Sequence, residues 1–127
     1  MRKRLVLCAI GVATLLTLLP ARADFVDGET LMEWADEYRR IREGTADGLS
    51  HIYVRRFQVY VMGVHDAYAG SLYPLTGEMV FCAPGNLTVA QASDAVFRFL
   101  RRNPERRHDT GSVLVRSAFV EAFPCTK

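Results

Sequence analysis

The chain has 127 residues, of which 50% are hydrophobic, 10% aromatic and 24% charged, with nine glycines and five prolines. These are ordinary globular proportions, which exclude disordered, collagen-like and low-complexity classes and limit the chain to one folded domain. The formal net charge of +2 is no nucleic-acid signature: Arg2, Lys3, Arg4 and Arg22 supply four of the 16 basic residues, while all 14 acidic ones lie beyond residue 23, so residues 24–127 carry a net charge of −2.

Arg2, Lys3 and Arg4 precede an uncharged, mainly apolar run over residues 5–19, then Pro20 and the small-residue triplet Ala21-Arg22-Ala23. Basic, apolar and small-residue regions in that order read as a secretory signal peptide over residues 1–23, with Ala21 and Ala23 marking the cleavage site. An apolar run of about 15 residues is shorter than the roughly 20 that a spanning helix needs, so the mature domain, residues 24–127, is expected to have no membrane attachment. Cys8 falls inside the run, and with three apolar residues between the basic cluster and it, it is a poor lipoprotein acceptor. Cys82 and Cys125 remain, an even number in an exported domain, and are expected to form one disulfide. Closing a loop of about 44 residues stabilises by about 3–4 kcal/mol in the chain-entropy model.

Periodicity predicts four helices. Over residues 29–43, Leu31, Trp34, Ala35, Tyr38 and Ile41 recur at three- and four-residue spacing opposite Glu29, Glu33, Asp36 and Arg40. Residues 44–48, with a glycine at each end, stop this helix. Residues 50–69 are rich in β-branched and aromatic side chains, but a strand would place the adjacent Arg55 and Arg56 on both faces. As a helix, Tyr53, Phe57, Tyr60, Val61, Val64 and Tyr68 form one stripe, with His51, Arg55, Gln58, His65 and Asp66 on the other side.

Residues 70–86, with two prolines, three glycines and Cys82, read as a long loop. Thr88 and Gln91 have capping-box spacing at the start of the third helix, whose apolar face is Val89, Ala92, Val96, Phe99 and Leu100. Arg98, Arg101 and Arg102 lie in its last turn, where positive charge meets the carbonyl end, and Pro104 follows. The fourth helix, residues 112–123, is apolar around most of its circumference, so it is either central in the domain or shared with a second subunit. The predicted fold is therefore all-α: a small four-helix domain with a long loop between helices 2 and 3 and one disulfide.

The chemistry-bearing residues do not assemble into a motif. His51, His65 and His108 have no metal-ligand spacing with either cysteine, and no glycine-rich phosphate loop is present, so neither a metal nor another cofactor is expected. A Cys82 nucleophile with His65 or His108 as base would need a free thiolate, and Cys125 is available to consume it; no enzymatic activity is expected. The His65-Asp66 pair and the arginines at 98, 101, 102, 106 and 107 read as solvated surface.

The stretch Tyr60-Val61-Met62-Gly63-Val64-His65-Asp66-Ala67 is followed by Phe81-Cys82-Ala83-Pro84, then by Asn103-Pro104-Glu105, and finally by Phe123-Pro124-Cys125. In order and spacing these segments resemble the Rap/Tai family of type VI secretion immunity proteins. The resemblance implies a small periplasmic α-helical protein, often a homodimer, that inhibits a peptidoglycan amidase effector by blocking its active-site cleft. The alternative it leaves open is a periplasmic domain of the same fold with a different envelope partner. Under the immunity reading the loop over residues 73–84 and adjoining helix ends cover the cleft. Leu72, Tyr73, Leu75 and Met79 then either anchor the partner or cover the domain's own core. Many relatives carry two further cysteines where this chain has Trp34 and Phe57, which implies that these two aromatics meet in the core.

Overall fold

The computed structural model describes residues 25–126. The expected cleavage residues Ala21 and Ala23, and Cys8, lie outside the described residues. Four α-helices follow one another: α1 Gly28–Arg42, α2 Ser50–Tyr68, α3 Val89–Arg102 and α4 Gly111–Ala122, with a 3-10 turn at Pro104–Arg106 before α4.

Each helix starts where a short polar side chain satisfies the free N–H groups of its first turn. The Asp27 carboxylate accepts from the Thr30 N–H at 2.8 Å ahead of α1. Asp47 accepts from the Leu49 and Ser50 N–H groups at 3.0 and 3.2 Å ahead of α2. At α3 the predicted capping box is complete: the Gln91 N–H donates to the Thr88 hydroxyl at 3.2 Å and the Thr88 N–H to Gln91 Oε1 at 2.9 Å. Thr88→Ala removes one half of this exchange and is expected to lower stability by about 1 kcal/mol, measured by urea unfolding with an unchanged m-value.

α1 and α2 form an antiparallel hairpin, α3 and α4 pack together beside it, and α2 touches all the others. The core is built from the predicted faces: Leu31 and Ala35 of α1, Phe57 and Val61 of α2, Val96 and Leu100 of α3. α4 is central in the domain, with Val120 left exposed on its outer side. Its Leu114, Val115, Ala118 and Phe119 are all buried inside this one domain.

The rings of Trp34 and Phe57 do not pair with each other. Trp34 stands edge-on to Tyr60 at 6.4 Å, and Phe57 packs against Tyr38 at 5.7 Å. The two helices therefore meet about one turn out of the register that a Trp34–Phe57 contact requires, and each aromatic packs against a neighbour of the other.

The starts of α1 and α4 are joined. Asp27 and Thr110 form an antiparallel bridge, in which the Gly28 N–H donates to the Asp109 carbonyl at 3.1 Å and the Gly111 N–H to the Val26 carbonyl at 2.8 Å. Both helices begin on a glycine because the backbones come too close for a side chain. A Cβ on Gly28 would lie 2.5 Å from the Arg107 carbonyl oxygen and 2.5 Å from Leu114 Cδ1.

Around the α1–α2 turn, Glu37 accepts from the Ser50 hydroxyl and pairs with Arg40 at 2.8 Å. The Ser50 hydroxyl, then Arg40, hold the Glu37 carboxyl below its ordinary range. The Leu49 N–H does the same for Asp47, and the Thr30 N–H for Asp27. Each native carboxyl thus binds its proton less readily than in the unfolded chain. Its contribution is present above the ordinary carboxylate pKa and is lost as pH falls through the depressed one. The melting temperature is expected to decline below about pH 4, and Glu37→Gln to flatten that decline.

Candidate functional site

The segment between α2 and α3 is more ordered than a loop. Over residues 71–80 the chain runs out and back as an arm: Leu72 and Met79 form an antiparallel bridge, the Tyr73 N–H donates to the Glu78 carbonyl at 2.8 Å and the Val80 N–H to the Ser71 carbonyl at 3.0 Å. Gly77, at φ 68°, closes the turn by donating to the Tyr73 carbonyl at 2.9 Å. A left-handed residue is needed there, and glycine adopts that conformation without strain. Pro74 and Gly77 are turn residues flanked by apolar ones, a weak hairpin signal that composition alone had assigned to irregular structure.

The returning leg is fixed to the domain. Val80 and Phe81 are buried. The Phe81 ring packs against Phe119 at 5.2 Å and His65 at 5.6 Å. The Cys82 N–H donates to the Phe123 carbonyl at 2.9 Å, and Cys82 is joined to Cys125 by the predicted disulfide. The arm is thus held by an apolar plug and a covalent bond directly behind it.

The four residues expected to matter in this loop do not behave alike. Leu75, at the tip, is 99% exposed, and Leu72 and Met79, side by side across the bridge, are 56% and 42% exposed. Tyr73 instead is half-buried and packs against the core. It shares a shallow depression with Phe99, Arg116 and Val120. Successive residues of an extended strand point to opposite faces, which explains the division: Leu72 turns outward and Tyr73 inward.

One surface reading needs correction, and a second holds only in part. His65 is not on a solvated face, because its ring packs against both Phe81 and Phe119 while its Nδ1 lies 3.0 Å from Asp66. Of the arginines, Arg98, Arg101 and Arg102 are exposed, in line with the solvated reading, while Arg106 and Arg107 are half-buried. Arg102 pairs with Glu121. Arg106 pairs with Asp109 at 3.1 Å and lies over the Phe99 ring, and Arg107 donates to the Leu100 carbonyl at 3.3 Å. These contacts hold the α3–α4 connection in place. Packing against Phe81 and Phe119, distant in sequence, decided the position of His65, and helical periodicity carries no information about it.

His51 and His108 are exposed and separate from His65 in the chain. Among the described residues no group of three or more His, Cys, Asp or Glu is arranged to hold a metal ion, and no helix is long and apolar enough to cross a membrane. The Cys82 sulfur is consumed in the disulfide.

The described residues thus form a small all-α domain whose disulfide-fixed arm exposes apolar side chains. The sequence model of the Rap1a immunity proteins matches residues 27–125, from the α1 cap to the disulfide. The chain belongs to the Rap1a immunity protein family. No curated protein matches it.

Proposed function

We propose that the protein protects the periplasm against a type VI secreted peptidoglycan amidase, by seating the arm over residues 71–80 in the enzyme's active-site cleft. Family membership supports immunity as the role. The observation that carries the mechanism is the 99% exposure of Leu75 at the tip of an arm fixed at its base. Leu72 and Met79, paired across the bridge, and Leu75 at the tip are exposed apolar side chains, and exposed apolar surface gathered on one element of a small protein marks an interface. Because the arm is already ordered, little conformational entropy is lost when it docks, so its apolar side chains contribute most of their burial to affinity. Inhibition of this kind is steric and asks for no catalytic group.

Export through residues 1–23, with cleavage after Ala23, places the domain in the compartment where such an amidase attacks and where Cys82 and Cys125 stay oxidised. The test is titration of a purified amidase with the oxidised protein. Stoichiometric loss of peptidoglycan hydrolysis is expected, and full activity in the presence of excess protein would reject the reading.

A further inference from the structure

On its inner side the arm meets the body of the domain at a depression of about 300 Å³. Tyr73 comes from the arm, Phe99 from α3, and Arg116, Ser117 and Val120 from α4. The half-buried Tyr73, the buried Phe99 and the partly exposed Val120 make its apolar part. Most of the charge around it is committed: Arg106 pairs with Asp109 at 3.1 Å and donates to the Ser117 hydroxyl at 3.4 Å, and Glu121 pairs with Arg102. Arg116 is the exception. Its guanidinium lies over the Tyr68 ring at 5.7 Å, and no carboxylate of the described residues pairs with it. The π face of the ring attracts the cation, while the planar fork of N–H donors keeps the shape that fits a carboxylate.

The position of the depression decides what covers it. The outgoing leg runs from Ser71 at the base of the arm to Leu75 at its tip, and extended chain over that span reaches at most about 13 Å. An arm so short, seated to its tip in a cleft, brings the rim of the cleft onto the surface at its base. Rim atoms then displace water from Arg116, which is already half-buried. An apolar or basic rim would leave this cation unpaired, which is costly, whereas an acidic side chain pairs with it in a dry setting where charge-assisted hydrogen bonds are strong. Tyr73 and Val120 supply an apolar wall for the carbon stem of that side chain.

We infer that Arg116 is a specificity-determining residue that binds a carboxylate on the rim of the target amidase's cleft, so that the arm blocks enzymes with an acidic rim and leaves others active. The inference rests on the amidase reading and adds the chemistry by which one target is told from another. Selection works through the cost of a mismatch: a neutral or basic rim is rejected by the unpaired charge, however well the apolar tip fits.

The test is inhibition of a purified peptidoglycan amidase by the oxidised protein and its Arg116 variants, at low and high salt. Arg116→Met removes the charge but keeps an apolar contact with the Tyr68 ring. It should raise the inhibition constant about 30-fold at an unchanged melting temperature, and its inhibition should lose most of the salt dependence seen with the wild type. Arg116→Lys, a charge without the planar fork, should recover part of the loss. Arg116→Glu should inhibit less well than Arg116→Met, because it sets like charges against each other. One acidic rim residue of the amidase, replaced by its amide, should cost the wild type as much and the Arg116→Met variant nothing further. Inhibition by Arg116→Met equal to that of the wild type, or a loss coupled to no rim carboxylate, would overturn the inference and leave the arm standing as the inhibitor. A wild-type protein that inhibits no amidase would overturn the immunity reading and this inference with it.

Discussion

Replacing Gly28 with alanine is expected to destabilise the protein by about 3 kcal/mol, at the upper end of overpacking effects, and to lower the melting temperature by more than about 10 °C. The added methyl group meets the Arg107 carbonyl oxygen and Cα as well as Leu114 Cδ1, all within 2.7 Å. Leu114 is itself fully buried. A flexible side chain could swing aside, but a backbone carbonyl moves only with its chain. Relief therefore separates α1 from the start of α4 and breaks the paired hydrogen bonds between Gly28 and Asp109 and between Gly111 and Val26. Gly63→Ala gives the contrast. It lies in the interior of α2 with open space around it, and should raise the stability of the single domain by about 0.5–1 kcal/mol. Thermal unfolding of the two variants in parallel decides the matter: an unchanged Gly28→Ala melting temperature would mean that the close approach is not rigid.

Leu75→Asp is expected to weaken amidase inhibition by about 100-fold, close to 3 kcal/mol of binding, while leaving the melting temperature where it was. The side chain is 99% exposed, so the domain has no contact to lose, whereas an apolar anchor replaced by a carboxylate would carry an unpaired charge into a closed cleft. Tyr73→Ala should do the opposite. Its ring packs against the core, so truncation lowers stability, and any loss of inhibition follows from a loosened arm. Inhibition constants for the two variants, measured beside their melting curves, separate an anchor from a support. Unaltered inhibition by Leu75→Asp would remove the tip from the interface.

The helices and their buried faces were legible because both depend on local spacing. Thr88 and Gln91 mark the start of α3 in the sequence as clearly as in the structure. The partners of those faces were less legible. Periodicity places Trp34 and Phe57 on apolar sides of their helices, but it does not set how far one helix slides along another, and a single turn gave both rings different neighbours. Gly28 and Gly111 look like any other glycines until two distant segments are brought together. At the candidate site, the apolar residues of the loop could be named from the sequence. Their division needed the structure: the bridge turns Leu72 and Met79 away from the inward Tyr73, and Leu75 is exposed because it lies in the turn.

The bridge between Asp27 and Thr110 also orders events in time. α1 is made first and α4 last, yet the first turn of α1 is completed by backbone groups of Asp109 and by the packing of Gly28 against Arg107 and Leu114. Contacts so far apart in sequence form late, because the intervening chain must be gathered before they reward it. The domain therefore cannot lock while its C-terminal fifth is still on the ribosome, and the leading segment stays loose until synthesis is nearly complete. Under the export proposed above, that delay keeps the chain threadable, since its own topology withholds the final closure until residues 107–114 have arrived.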